Sequence, residues 1–373
     1  MEASMAREEQ TMGPGLALSG GGFRATLFNL GAVWRLNDAG WLKKLAIVTS
    51  VSGGSITSGV LAFKWGKLKF DGAGVAANFR DEVAAPVQHF CTLSIDVTAG
   101  IEGLVNVFDT IPKRIAAKYR AELFGDATLQ DLPDPATEPR FVFYATSLQS
   151  GASVRMSRKY LGDYRVGRIL NPTLPLATVV GASSAFPPVM SPVVVDLDPA
   201  LWQDQEGADL FSQVEYRKRL LLSDGGVYDN MGLESIWDRC KIVLVSDAGA
   251  PFSPEVAPDR AWPNQVARVL DIACEQTRRL RRSWLVGDFI EKRRHGAYWG
   301  IATKIGAYNV DALAKDTADT AALQHIRTRL NPFTAKEQAQ LVNWGYALSD
   351  AAMRSNVDTK LPKGTLPYPD TPL

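Results

Sequence analysis

The 373-residue sequence predicts an α/β fold around a central, mostly parallel sheet. Two successive strand-loop-helix units near the amino terminus carry that expectation, because such units close by right-handed crossovers. Strongly apolar, isolated runs further along, at Phe141–Thr146, Leu220–Leu222 and Ile242–Val245, supply additional buried strands.

In the first unit, Leu16-Ala17-Leu18 reads as a short buried strand. It runs into Ser19-Gly20-Gly21-Gly22-Phe23-Arg24-Ala25. Leu27, Leu30, Val33 and Trp34 then recur at helical spacing, until Asp38-Ala39-Gly40 ends the helix. In the second unit, Leu45-Ala46-Ile47-Val48 leads into Thr49-Ser50-Val51-Ser52-Gly53-Gly54, and the residues from Ile56 to Phe63 have helical spacing. That layout places Ser52 on a sharp strand-to-helix bend, the position of an exposed nucleophile. The G-x-S-x-G pattern is incomplete: Ser50 fills the first position and Gly54 the fifth. Serine is small enough for the first site, yet serine- and glycine-rich turns are common, so this pattern alone does not identify a nucleophile.

From Trp65 to about Ala127 the apolar spacing is mostly helical, broken at Pro86 and Gly100, with Pro112 expected in the first turn of a new helix. This insertion could cap a site or bind a partner, but packing on the sheet with a solvated basic face is the commoner arrangement. Val154–Met156 and Val193–Val195 read as short strands. The residues from Leu176 to Pro188 read as a helix of small residues stopped by prolines, and those from Leu201 to Tyr216 as a polar loop. A long helix spans Val266 to Gly287 and carries Arg278, Arg279, Arg281 and Arg282. Further helices are expected at Asp311–Leu330 and Thr334–Ala352. The basic window could meet anionic lipid or a nucleotide, but solvated or ion-paired faces of this kind are commoner.

Composition limits the function classes. The sequence is 46% hydrophobic, enough for a large core, and its net charge of +1 gives no global preference for nucleic acid. Cys91, Cys240 and Cys274 have neither metal-ligand nor disulfide-framework spacing, which suits a reducing compartment. The first ten residues lack the apolar core of a secretory signal, and no run approaches the length of a spanning helix. A soluble, cytoplasmic protein is expected, without metal, cofactor or nucleic-acid partner.

The glycine loop admits three chemical readings beside a plain tight turn. A dinucleotide loop would need a final glycine and a later acidic residue, and a phosphate loop would need a following Lys-Ser/Thr; neither is present. Backbone N–H groups converging as an oxyanion site for Ser52 explain both loops. Arg24 would suit a substrate phosphate beside them. Leu220-Leu221-Leu222-Ser223-Asp224-Gly225-Gly226 then delivers Asp224 from a strand end. Asp-Gly is also a common hairpin turn, so only the company of Ser52 and the glycine loop makes Asp224 a catalytic candidate. Asp247 is the runner-up carboxylate. His89, His295 and His325 all lack a loop setting at a strand end, which favours a Ser52–Asp224 dyad over a histidine triad.

Taken together, Gly20-Gly21-Gly22-Phe23-Arg24, Ser50-Val51-Ser52-Gly53-Gly54 and Asp224-Gly225-Gly226 resemble the patatin-like phospholipase family. Ala182-Ser183-Ser184-Ala185-Phe186-Pro187-Pro188 is similar to a small-residue segment that lies between the serine and aspartate motifs there. The glycine loop with Arg24 resembles the cytosolic phospholipase A branch. The likeness covers roughly residues 16–249. It implies a three-layer α/β fold and acyl-ester hydrolysis at a phospholipid membrane surface, met peripherally and transiently. Ser52 would be the nucleophile and Asp224 the base. Gly20, Gly21, Gly22 and Gly53 would form the oxyanion hole, Arg24 would hold a phosphate or help build the loop, and Gly54, Gly225 and Gly226 would be motif glycines. Ser50 and Ala25 depart from the family pattern without removing a reacting group. A nucleotide- or partner-regulated membrane-degrading effector of the same chemistry, its regulatory ligand or protein unidentified, or a soluble small-ester carboxylesterase, are the alternatives. The expected organisation is a frayed terminus at 1–14, a catalytic core at 15–250 with a helical insertion at about 66–127, a helical extension at 251–360 packed on the core, and an irregular tail at 361–373.

Overall fold

The computed structural model describes residues 13–95 and 107–373. Its sheet begins with the two expected units: β1 (Gly15–Leu18) into α1 (Gly22–Asp38), and β2 (Ile47–Ser50) into α2 (Gly53–Lys64). The insertion contributes α3 (Ala85–Phe90) and α4 (Val107–Tyr119). Then follow β3 (Arg140–Ser147), β4 (Ser153–Met156), β5 (Tyr160–Asp163), β6 (Gly167–Leu170), α5 (Leu176–Ser183), β7 (Val193–Asp196) and β8 (Trp202–Gln203). Next come α6 (Glu215–Lys218), β9 (Arg219–Asp224), α7 (Gly226–Asp229), α8 (Glu234–Trp237) and β10 (Ile242–Asp247). The chain closes with α9 (Trp262–Ile290), β11 (His295–Gly300), α10 (Ala318–Ala322) and α11 (Ala335–Asn356).

The order β11-β10-β1-β2-β3 is parallel throughout, and β3-β4-β5-β6-β8 continues it as an antiparallel meander. Side chains alternate between two cores, as a strand buried on both faces requires. Leu16, Leu18, Val48, Phe141, Phe143 and Leu244 join the larger cluster with α1, α2 and α11. Ala17, Ile47, Val142, Tyr144, Val243 and Val245 join a second cluster with Met231, Ile236 and Leu285. The sheet is therefore the middle of three layers.

β9 departs from the expected parallel context. It runs antiparallel to β3 and pairs with it over Ala145–Ser147, while β2 runs parallel to β3 and pairs over Arg140–Phe143. β4 pairs with the same central residues of β3, so β2 and β9 share the other edge. Ser50 lies opposite Phe143 and Asp224 opposite Ala145. The two strands thus point their carboxyl ends at each other with one β3 residue, Tyr144, between their partners.

Several elements differ from the sequence expectation. α4 begins at Val107, so Pro112 lies inside it and not in its first turn. The expected apolar positions Ile101, Leu104 and Val105, and the break at Gly100, fall outside the described residues. Residues 311–330 form only α10, whose start Thr317 caps, and a single 3-10 turn at Leu323–His325; beyond α10 the carbonyls of Gln324 and Ile326 accept from Arg24. The polar stretch before Tyr216 contains β8, which pairs with β6. The carboxyl-terminal extension is not wholly helical: β11 extends the parallel sheet beside β10. α11 packs along α1 at very short range. A Cβ at Gly31 would stand 1.9 Å from Val342 O, and one at Gly345 would stand 2.0 Å from Phe28 O. The tail has no helix or strand, yet it is tied down by Asn343 Nδ2 to Tyr368 O at 2.7 Å and by Arg35 to Pro362 O at 2.6 Å.

Candidate active site

Ser52 sits between β2 and α2 with φ 51° and ψ −122°, a backbone conformation that costs a non-glycine residue about 1–3 kcal/mol. The tight packing around it explains the sequence. A Cβ on Gly53 would approach Gly22 O to 2.1 Å, and one on Gly54 would approach Leu18 O to 2.4 Å. Ser50, the departure from the elbow pattern, is fully buried; its hydroxyl accepts a hydrogen bond from Ser55 Oγ at 3.0 Å, and Ser55 Oγ lies 2.8 Å from Ser183 Oγ. A hydroxyl in place of glycine is therefore absorbed by a small polar network.

The end of α5 holds both motifs. Ser52 N–H donates to Ser183 O at 3.1 Å, Gly225 N–H donates to the same oxygen at 3.2 Å, and Asp224 N–H donates to Ala185 O at 2.9 Å. Small residues at 182–185 permit this approach of three backbones. A side chain on Gly225 would meet Tyr144 O at 2.6 Å, and one on Gly226 would meet Asn230 Oδ1 at 2.6 Å.

Asp224 is 2% exposed. Its Oδ1 accepts from Gly226 N–H at 2.7 Å, whereas Oδ2 is buried without a hydrogen-bond partner among the described residues. Burial raises the carboxyl from 3.8 to about 7; the Gly226 N–H and the Ser52 side chain each pull it partly back. Ser52 thus stands near enough to bias the protonation of Asp224 while Oδ2 remains open to a closer contact. Such contacts commonly tighten once substrate is bound.

Ser52, Asp224, Gly20, Gly21, Gly22 and Arg24 line one cavity of about 470 Å³, with Phe186, Met190 and Leu330 among its apolar walls. The N–H groups of Gly21, Gly22 and Gly53 have no acceptor among the described residues, and Gly21 and Gly22 adopt φ values of 136° and 55°. Gly20 corrects the sequence expectation. Its N–H donates to Asn230 O at 3.0 Å, so it does not supply an oxyanion donor. It is glycine because a Cβ would stand 2.4 Å from Asn230 Oδ1 and 2.9 Å from Ser52 Cβ.

Arg24 is a second correction. It is 2% exposed; Nη1 donates to Ile326 O at 2.8 Å and Gln324 O at 3.2 Å, and Nη2 donates to Ala248 O at 2.9 Å. These carbonyls fix the carboxyl-terminal segment against the glycine loop. Burial lowers its affinity for a proton, with Asp247 opposing that effect. Of the two roles expected for Arg24, this packing accounts for loop building: Nη1 and Nη2 donate to main chain, and Nε is buried without a partner among the described residues.

None of the three histidines lines the cavity. Asp247, the runner-up carboxylate, is saturated: Arg278 Nη1 donates to Oδ2 at 2.9 Å, Tyr298 hydroxyl to the same oxygen at 2.8 Å, and Gly249 N–H to Oδ1 at 2.9 Å. Arg278 of the basic window is consequently a buried ion-pair partner, not a solvated charge. Cys274 lines the cavity, but burial, Asp224 and Asp271 push its thiol up to about 11, away from a reactive thiolate. Sequence reasoning missed Asn230, whose amide wedges between Gly20 and Gly226. It also missed Thr328, whose carbonyl a Cβ on Gly22 would strike at 1.3 Å. Asn230 could have been flagged from its place six residues after Asp224; Thr328 carries no local signal.

Fold and site define an α/β protein with a serine-centred cavity at the carboxyl ends of its sheet strands. A family model described as patatin-like phospholipase matches residues 16–237, and the chain belongs to that family. Among solved structures, human GIVD cytosolic phospholipase A2 is similar over 92% of this chain and 59% of its own, with 12% identity and a TM-score of 0.53. VipD from Legionella pneumophila is similar over 93% of this chain and 67% of its own, with 17% identity and a TM-score of 0.40. The chain thus spans about three fifths of the human protein, and that likeness bears on the fold. No curated protein matches the chain.

Proposed function

We propose that the protein is a lipid acyl hydrolase of the phospholipase A type, cleaving carboxylic ester bonds of glycerophospholipids with Ser52 and Asp224. The carrying observation is a strained serine beside a buried carboxylate whose pKa lies near 7 and whose Oδ2 is unsatisfied. Ser52 Oγ attacks the ester carbonyl carbon while its proton passes to Asp224. The N–H groups of Gly21, Gly22 and Gly53 stabilise the oxyanion. Collapse of the tetrahedral species breaks the ester C–O bond, and the leaving alcohol takes the proton from Asp224. A water molecule, deprotonated by Asp224, then hydrolyses the acyl-serine. Phe186, Met190 and Leu330 offer apolar wall for an acyl chain.

A membrane surface fits as the place of action. Among the described residues no helix is long and apolar enough to cross a membrane. α9, however, lines the cavity with Cys274 and Arg278 on one face and exposes Trp262, Val266, Val269, Leu280 and Trp284 on the other. Peripheral docking from the cytoplasmic side through that face is part of the proposal. In the test, fatty-acid release from phosphatidylcholine and phosphatidylglycerol vesicles is compared for wild type and Ser52→Ala. Wild type releases fatty acid and the variant does not; equal release by both would sink the assignment.

A further inference from the structure

We infer that a second, basic cavity binds a phosphate-bearing ligand. It shares no lining residue with the cavity around Ser52 and runs along the edge strand β11, from Lys241 before β10 and His295 at the start of β11 to Thr303 and Tyr308 beyond its end. The cavity measures about 1330 Å³, larger than the one that holds Ser52.

Its wall carries Arg239, Lys241, Arg282, Lys292, Arg293 and Arg294 against a single lining acid, Asp238. Arg294 is paired with Asp238 and Asp288, and Arg293 with Asp288 and Glu291. Lys241, Arg282 and Lys292 have no ion-pair partner among the described residues. Uncompensated cations lining one concave surface repel one another, and an anion with several oxygens relieves that repulsion. The chain as a whole carries only +1, so this excess is local. Tyr298, Tyr308 and Phe289 also line the cavity and give a planar or apolar part of the ligand something to rest on. The last turn of α11, with Ser355 and Asn356, brings carbonyl ends to one side, which places the anion toward Lys241 and Lys292.

The inference does not depend on the hydrolase reading, so it is tested with the Ser52→Ala protein. Pyrophosphate, ATP and monomeric dihexanoyl phosphatidylglycerol are titrated calorimetrically at low and high salt, with dihexanoyl phosphatidylcholine as a control. Saturable binding of at least one anionic probe is expected, weakened at least tenfold by Lys241→Glu with Arg282→Glu and weakened again by salt. Binding of pyrophosphate or ATP alone assigns a free phosphate compound, and binding of the lipid alone assigns a headgroup. Circular dichroism, and soluble-ester turnover by the double substitution in the Ser52 background, should be unchanged. If that variant does not fold, Lys241→Gln with Lys292→Gln should still weaken binding about threefold. Absence of saturable binding by all three anionic probes at millimolar concentration, or binding indifferent to these substitutions, overturns the inference.

Discussion

Ser52 and Gly225 donate their N–H groups to one acceptor, the Ser183 carbonyl, at 3.1 and 3.2 Å. That shared oxygen locks a residue one or two positions past each strand end to a third element, α5. Neither strand alone fixes the distance between Ser52 and Asp224; β3 sets their register and Ser183 sets their spacing. The site is preorganised by main chain, which has fewer degrees of freedom than side chains.

The protonation of Asp224 predicts the pH profile. As the proposed base it must be ionised, and its carboxyl stands at about 7. kcat/KM for a soluble ester should therefore rise about tenfold per pH unit below that value and level off above it. A flat profile between pH 5 and 8 would remove Asp224 from the role. Asp224→Asn should lower kcat by at least about 10³-fold at every pH.

The same burial has a cost in stability with a defined sign. The folded-state pKa of Asp224 is raised, so its contribution is fully present below the ordinary 3.8 and is lost as pH rises through about 7. At about 1.4 kcal/mol per pH unit, the loss reaches about 4 kcal/mol above that window, as an upper figure. Asp224→Asn should raise Tm at pH 8 and leave it nearly unchanged at pH 4. Calorimetric melts at the two pH values decide it; an equal change at both would show that ionisation is not the cause.

The backbone at Ser52 predicts a difference in stability between two variants that lack its hydroxyl. Ser52→Ala keeps the side-chain penalty at φ 51°, whereas Ser52→Gly removes it. Ser52→Gly should be the more stable of the two by about 1 kcal/mol, allowing for the added freedom of glycine in the unfolded chain. Urea midpoints measure this, and a less stable glycine variant would mean that the elbow is not strained.

The sequence exposed those parts of the site that are local. Strand, glycine turn and helix follow each other within about ten residues around Gly20–Gly22 and Ser52, so steric necessity leaves a readable pattern. The fold class was legible for the same reason, since β1, β2 and their helices are contiguous. The direction of β9 was not, because Asp224-Gly225-Gly226 looks alike at the end of a parallel or an antiparallel strand. Partners hundreds of residues away left no mark either. Arg24 looked free for an anion until Gln324, Ile326 and Ala248 took its Nη1 and Nη2 donors, and Gly20 looked like an oxyanion donor until Asn230 took its N–H. The residues 311–330 suggested a helix by composition, but their carbonyls are used in tertiary contacts.

Arg24 consequently predicts a structural phenotype. Its guanidinium ties three carbonyls from distant segments, and hydrogen bonds to a charged group are worth about 1.5–3 kcal/mol each. Arg24→Ala should lower stability by at least about 2 kcal/mol and reduce turnover of a phospholipid and of a neutral short-chain ester by the same factor. Selective loss of the phospholipid reaction, with Tm unchanged, would restore a phosphate-holding role.

The exposed face of α9 predicts how vesicle and soluble substrates part. Trp262, Val266, Val269, Ala273, Leu280 and Trp284 recur at three-, four- and seven-residue spacing along one side of the helix. Trp262 and Trp284 are 77% and 64% exposed, far more than an indole in a finished core. Arg279 flanks the stripe and has no ion-pair partner among the described residues, which suits anionic headgroups. Burial of one large apolar side chain contributes about 1.5–3 kcal/mol, so losing both indoles removes about 3 kcal/mol or more of docking. Trp262→Ala with Trp284→Ala should therefore cut binding to phosphatidylglycerol vesicles, read by sedimentation, about 100-fold and lower vesicle hydrolysis in step. Turnover of a soluble short-chain ester should remain as in wild type, because neither tryptophan lines the cavity. If vesicle binding persists while self-association in solution disappears, the stripe belongs to a second copy of the chain and the membrane orientation fails.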